Sequence, residues 1–376
     1  MSLYKKRLKL VRGKGVYVWD ENGNKYLDAI AGIGVAILGH SNEELAIAIN
    51  EQMKKLVVAG PMFHHEEKDE ALEELSKFLS FEYAYFGNSG TEAVEAALKF
   101  ARLYTGKKEI IAMTKAFHGR TFGSLSATWK KKYRGGFEPL VPGFKHIPFN
   151  NIEVAKEAIT KETAAVIVEP IQGEGGINVI DKDYLEKVNK LCKEKDILLI
   201  FDEVQTGFGR TGEFFAYQHF GIEPDIMTLA KTLGGGFPIG AMVAKKEVAD
   251  LMVPGTHAST FGGSPLACAS AIAVIKTIKE KKLLEKVRKN GKYLREKLEK
   301  LKKKYDFIKR VKGMGLMLAV ELEMDGKEFY KKCLEKKLLL NCTHGNVIRI
   351  MPALTVKKKE IDEAVEIMDE CFSSLI

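Results

Sequence analysis

Two short apolar runs constrain this chain more than any other feature. Ile197-Leu198-Leu199-Ile200-Phe201 ends at Asp202, and Ile226-Met227-Thr228-Leu229-Ala230 ends at Lys231. Each run is too short for most helices and rich in strand-forming residues, so both read as buried parallel strands. In open α/β sheets the chemistry lies just outside the carboxyl ends of such strands. The sequence therefore delivers a carboxylate and an amine to one edge of one sheet. A structural salt bridge, or two unrelated solvated charges, would give the same spacing, so the rest of the chain has to decide.

From about residue 46 to 270, short apolar runs alternate with helical patterns. Glu109 to Met113, Ala164 to Pro170 and Ile239 to Val243 are further candidate strands. The expected fold class is α/β, a large domain with a mostly parallel sheet flanked by helices. Residues 1–45 read as a β-rich segment, with a hairpin turn at Glu21-Asn22-Gly23-Asn24 and helix-capping residues at Ser41-Asn42. From 271 a long charged amphipathic helix leads into mixed strands and helices. We expect residues 271–376 to form a smaller α+β domain against which residues 1–45 pack.

Several loops carry candidate chemistry. Asn88-Ser89-Gly90-Thr91 follows one apparent strand and opens a helix running to about Tyr104. Its N–H groups and hydroxyls suit a phosphate dianion, although Ser89 with Glu92 also makes an ordinary capping box. Phe117-His118-Gly119-Arg120 follows another strand. An aromatic there can stack on a flat ring and an arginine can bind a carboxylate, or the two are a core Phe and a surface Arg. By itself His118 reads as structural. Glu169 to Gly176 runs from a strand into a loop bearing Glu174. Ser259-Thr260 offers hydroxyls beside glycines, and Arg349 leaves a late strand.

Taken with these loops, the Asp202–Lys231 pair suits pyridoxal 5'-phosphate. A lysine amine condenses with the cofactor's aldehyde, and an aspartate keeps its pyridine nitrogen protonated so that the ring draws electrons. Gly207-Phe208-Gly209-Arg210-Thr211-Gly212 matches a dinucleotide fingerprint, with Asp225 near the spacing of a ribose acid. Here, however, Asp225 precedes its apolar run where a ribose acid terminates it, and Asp202 to Thr206 separate strand from glycines. That argues against a nicotinamide enzyme.

Composition excludes other classes. The 59 Lys and Arg against 50 Asp and Glu give a formal charge of +9, but much of the excess lies in mixed-sign helical stretches such as Lys279 to Lys304. That pattern marks a solvated helix face, not a nucleic-acid surface. No stretch reaches the roughly 18 apolar residues of a membrane helix. The basic start, Met1 to Arg7, has no apolar signal core behind it, and the five cysteines form no C-x-x-C pair. We expect reduced thiols, no metal site and a cytoplasmic location.

With these motifs in one order, the chain resembles the class III, fold-type-I pyridoxal-phosphate aminotransferases along nearly its whole length. The matching pieces are residues 88–93, 117–121, 169–176, 198–212, 225–241, 257–267 and 349–352. The resemblance implies that Lys231 carries the cofactor and shuttles the proton while Asp202 faces the pyridine nitrogen. It places Ser89, Gly90, Thr91, Phe117, Glu203, Val204, Gln205 and Thr260 on the cofactor, with Thr260 supplied across a homodimer interface. It makes Arg120, Glu174, Ser259 and Arg349 substrate residues, Glu174 neutralising Arg349 when no carboxylate is there.

Within the family the chain is most similar to the branch that acts on N2-acetylornithine with 2-oxoglutarate, a step of arginine biosynthesis. Ornithine aminotransferases have a tyrosine where this chain has Ile33, and Ser264 replaces the usual asparagine of the Gly-Gly-Asn-Pro turn. Ornithine, succinyl-diaminopimelate, a lysine-pathway precursor and ω-amino acids stay open as alternative substrates.

Overall fold

Alternation along the central strands decides which side chains reach the site, because successive residues of a strand point to opposite faces. The computed structural model describes residues 8–81 and 83–376, so the basic start at residues 1–7 lies outside the description. The N-terminal strands are β1 (Leu10–Lys14), β2 (Tyr17–Asp20) and β3 (Lys25–Asp28). The Asp20 carboxylate closes the turn between β2 and β3 by accepting the Asn22 and Asn24 N–H groups at 3.0 and 2.8 Å.

The central sheet contains β4 (Tyr83–Gly87), β5 (Glu109–Met113), β6 (Phe144–Ile147) and β7 (Thr163–Val168). A small hairpin, β8 (Ile171–Gln172) and β9 (Asn178–Val179), interrupts it. The sheet then resumes with β10 (Leu198–Asp202), β11 (Ile226–Leu229) and β12 (Gly240–Ala244). Its seven strands run in the order β4-β12-β11-β10-β7-β5-β6. Among them β12 runs against the rest, antiparallel to both β11 and β4, while the other pairings are parallel. Strands β7, β10, β11 and β12 are buried at every residue, which is why they read as unbroken apolar runs and not as alternating ones.

The two faces of the sheet carry separate cores. Ile200, Ile167 and Ile226 pack with Val94, Ala97 and Ala101 of the helix Gly90–Thr105 on one face. Phe201, Val168 and Met227 pack on the other. By the same alternation Asp202 and Glu169 continue the first face, together with Thr228, and all three come out beside the N-terminus of that helix.

The C-terminal strands β13 (Ile308–Met314), β14 (Met317–Leu322), β16 (Asn341–Thr343) and β17 (Val347–Ile350) form an antiparallel sheet in the order β13-β14-β17-β16. The short β15 (Leu338–Leu339) leaves this region and pairs in parallel with β3, joining the N-terminal strands to the C-terminal part. The charged helix Leu283–Lys304 buries Leu283, Val287, Leu294, Leu298 and Leu301, a stripe at helical spacing, and leaves its lysines in solvent. All five cysteines are free thiols, and no helix among the described residues is long and apolar enough to cross a membrane.

The assignment of Glu203 to the cofactor is corrected here. Glu203 shares the parity of Phe201, so its side chain turns to the opposite face. There it is fully buried and accepts the Ala216 and Tyr217 N–H groups at 2.8 and 2.7 Å and the Thr206 hydroxyl at 2.7 Å. It holds a loop and lines no part of the cavity. Removing it orphans two buried donors, so Glu203→Ala should cost about 2–6 kcal/mol of stability, read by denaturant unfolding. Burial raises its carboxyl from 4.5 to about 7. The folded chain then keeps a proton that the unfolded chain has released, and stability falls as pH rises through that window. The penalty of Glu203→Ala should therefore shrink between pH 4.5 and 7; a penalty that grows with pH would contradict this assignment.

Candidate active site

A cavity of about 390 Å³ opens at the carboxyl ends of β10 and β11. Its walls include Ser89, Gly90, Thr91, Phe117, Arg120, Glu174, Asp202, Val204, Gln205 and Lys231. Most of the sequence candidates therefore meet in one place.

Lys231 stands two residues past β11, with φ of +38°, a strained value for a side chain with a Cβ. Lys231 is half-buried, and desolvation by the surrounding protein lowers its pKa, helped by the Arg349 charge and opposed by Asp202, Glu174 and Glu169. The shift favours the neutral, nucleophilic form of the amine.

Asp202 is 5% exposed and fully engaged. One oxygen accepts the Val204 N–H and the Thr228 hydroxyl, each at 3.1 Å. The other accepts His118 Nδ1–H at 2.7 Å. Burial alone would lower the His118 pKa, but the hydrogen bond and charge of Asp202 prevail and raise it. Asp202 is thus held on three sides, and the contact draws His118 towards its charged form. The sequence does not reveal these partners: His118 by itself reads as structural, and Thr228 reaches Asp202 only because β11 lies in register with β10, opposite Asp202.

Glu169 is also fully buried and lines the cavity, accepting the Phe117 N–H at 2.9 Å and the Gly173 N–H at 3.0 Å. It fixes the backbone on which Phe117 stands. Burial raises its carboxyl to about 7.

The helix Gly90–Thr105 points its N-terminus into the cavity. Ser89 Oγ accepts the Glu92 N–H at 3.3 Å, so the capping reading of this serine holds. Glu92 does not complete the reciprocal box; its carboxylate binds the Asn88 backbone N–H and, at 2.9 Å, the Asn88 side chain. A Cβ on Gly90 would lie 2.9 Å from Val204 Cγ1, so glycine lets the helix end close on the wall that Val204 forms. Phe117 lines the cavity too and meets Tyr133 edge-on at 5.7 Å.

Arg120 is exposed, with its guanidinium 4.0 Å from the Tyr133 ring centroid and no ion pair among the described residues. Arg349 is fully buried behind the cavity wall. Glu174 covers it, with Oε1 2.7 Å from Nη1, while Asn341 Oδ1, the Gly173 carbonyl and Gln205 Oε1 accept its other bonds at 3.0, 3.1 and 3.3 Å. Two candidates fall elsewhere. Ser259 and Thr260 line a separate recess beside Met62 and Phe63. Ser259 still touches the site at one remove, because its Oγ accepts Asn88 Nδ2 at 3.0 Å. The decoy acid Asp225 is structural, binding the Leu199 N–H at 2.8 Å and Lys245 at 2.7 Å.

The dimensions and donors of this cavity fit pyridoxal phosphate: an amine for its aldehyde, a fixed anion for its pyridine nitrogen, and a helix N-terminus for its phosphate. They define a fold-type-I enzyme dependent on that cofactor. The chain belongs to the class-III aminotransferase family, whose model matches residues 3–372.

Among its relatives, a protein of Pyrococcus horikoshii named as a putative [LysW]-aminoadipate semialdehyde/glutamate semialdehyde transaminase is 52% identical, covering 96% of this chain and 95% of its own. The acetylornithine aminotransferase of Methanocaldococcus jannaschii is 50% identical, covering 97% and 94%. Of solved structures, the ornithine aminotransferase of Toxoplasma gondii matches with a TM-score of 0.96 at 34% identity, over 100% of this chain and 92% of that one. The acetylornithine aminotransferase of Elizabethkingia anophelis matches with 0.86 at 35% identity, over 98% and 94%.

Proposed function

We propose that this transaminase moves the terminal amine of N2-acetylornithine to 2-oxoglutarate, giving N-acetylglutamate 5-semialdehyde and glutamate. One observation carries the reading: the site has two separate arginines, one open and one covered. Arg120 waits at the mouth for the carboxylate of a long substrate whose reacting amine lies at its far end. Arg349 lies inside under Glu174, where the α-carboxylate of glutamate would displace that side chain. Ile33, apolar at a left-handed turn beside the cavity residue Val35, favours an acylated nitrogen over a free ammonium.

Pyridoxal phosphate, when bound, supplies an aldehyde that takes the amine and a ring that holds the electrons released at the reacting carbon. Lys231 Nζ would take the proton from that carbon and deliver it to the carbon that had been the aldehyde's, the 1,3-shift that moves the amine. Asp202, fixed by His118 and Thr228, holds a proton on the ring nitrogen. Val204 and Phe117 enclose the ring, and Ser89, Gly90 and Thr91 receive the phosphate.

The working form we propose is a cytoplasmic homodimer. Support comes from exposed apolar side chains clustered around the recess that holds Thr260: Met62, Phe63 and Phe261 are 84%, 69% and 62% exposed. A second copy covering this patch would bring its own Thr260 towards the facing phosphate site.

A second reading has specific support. Pyrococcal relatives are named for LysW-linked semialdehydes, and Arg120 is exposed, as are Lys131 and Lys132 on the short helix whose Tyr133 it stacks against. There the acyl group would be a carrier protein in place of acetyl. Initial rates on acetylornithine, ornithine and an N2-acylated lysine, measured side by side, test both. The first reading expects acetylornithine to be fastest; free ornithine as the best donor would overturn it. Arg120→Ala should lower kcat/KM for acetylornithine about 10- to 100-fold, the worth of a charge-assisted pair. A donor lacking that carboxylate should be hardly affected; equal losses for both would remove the role given to Arg120.

A further inference from the structure

Arg210 heads the fully buried side chains, and no carboxylate among the described residues answers its charge. A buried guanidinium without a counter-ion is costly, so its position calls for a compensating use. Its bonds show one. Nη1 donates to the Pro352 carbonyl and, at 3.4 Å, to the Leu316 carbonyl, while the Arg210 carbonyl accepts the Leu316 N–H at 3.0 Å. Among the described residues Nε and Nη2 have no hydrogen-bond partner. Burial brings its pKa down to about 10, which still leaves it charged at neutral pH.

The residues so tied belong to the site on both sides. Arg210 lies five positions after Gln205, on the loop that follows β10. Pro352 lies three positions after Arg349, on the exit of β17. Around Pro352, the Met351 N–H binds the Ala29 carbonyl and the Leu354 N–H binds the Ile37 carbonyl, each at 2.8 Å. Those bonds join the exit to the loop that carries Ile33 and Val35. Pro352 has no N–H of its own, so among the bonds found at this residue only that from Arg210 fixes it.

We propose that Arg210 is a positioning residue for the dicarboxylate half-reaction. It braces the exit of β17 against the β10 loop and so sets where Arg349 stands relative to Glu174 and Gln205. The inference rests on the reading that Arg349 receives the α-carboxylate of glutamate.

The test uses holoenzyme in its aldehyde form, mixed with either glutamate or acetylornithine, each half-reaction followed by the absorbance of the bound cofactor. Arg210→Gln should raise the KM for glutamate tenfold or more, with the KM for acetylornithine and both maximal rates within threefold of the parent. Arg210→Lys keeps the charge and a donor, and keeps the test open if glutamine at this buried place does not fold. It should raise the glutamate KM at least threefold and leave acetylornithine unchanged. General loosening would instead depress both half-reactions together. That pattern, or an unchanged glutamate KM in the folded lysine variant, overturns the proposal. Arg349→Lys, run alongside, should raise the glutamate KM more than either Arg210 variant. If Arg349→Lys has no such effect, the reading of Arg349 fails, and this inference with it. If it does while the Arg210 variants do not, only the brace is refuted.

Discussion

Lys231→Ala is expected to abolish transamination, with a fall in kcat of about 10⁴-fold or more, since the variant loses both the covalent anchor and the general acid–base. The geometry explains the size of the effect. The amine stands at the end of β11 in a left-handed conformation, and the surrounding protein lowers its pKa by desolvation. Among the described residues lining the cavity no other lysine is present to take over the proton. The variant should still fold and bind the cofactor through Asp202 and the helix N-terminus, so unfolding and cofactor content serve as controls. Added methylamine should restore part of the rate by occupying the vacated amine position. A folded Lys231→Ala protein retaining a tenth of the parent activity would refute the assignment.

Asp202→Asn should cost about 10³-fold in kcat, with a near-normal circular dichroism spectrum. An amide is close in size to a carboxylate but brings no charge to stabilise what develops in the ring. It also disturbs His118, whose Nδ1 sits 2.7 Å from Asp202 Oδ2 and would lose the anion that raises its pKa. His118→Asn should act in the same direction but more weakly, about tenfold, because Thr228 and the Val204 N–H still hold the aspartate. Absorbance of the bound cofactor against pH is the measurement. The parent should show no change of ring-nitrogen protonation across the neutral range, whereas Asp202→Asn should show one. Identical titrations would exclude Asp202 as the partner of that nitrogen.

Much of this was legible in the chain itself. The apolar runs ending at Asp202 and Lys231 are strands β10 and β11, and the helix expected to reach about Tyr104 ends at Thr105. Such features are local: strand period, capping and turn chemistry act over a few residues. What stayed hidden depends on register and on distance in space. Glu203 was misassigned because proximity in sequence outweighed the alternation that turns it away from Asp202. Thr228 and His118 gained meaning only when β11 and the loop after β5 were set beside β10. Ser259 lines a separate recess and reaches the cavity of this chain through Asn88, a placement that no motif match conveys. In the sequence Arg210 stands within a misleading glycine pattern, and nothing local shows that its partner is the carbonyl of Pro352, 142 positions away.

The pairing of β3 with β15 bears on how the molecule is made. Leu27 and Leu338 are ladder partners, and the Met351 amide reaches back to Ala29. During synthesis the first strands must therefore wait until almost the entire polypeptide has left the ribosome before their edge is covered. A nascent chain arrested near residue 300 should leave β1 to β3 open to protease while β4 to β12 are already protected, and closure of this long loop should be the slow, late event in refolding.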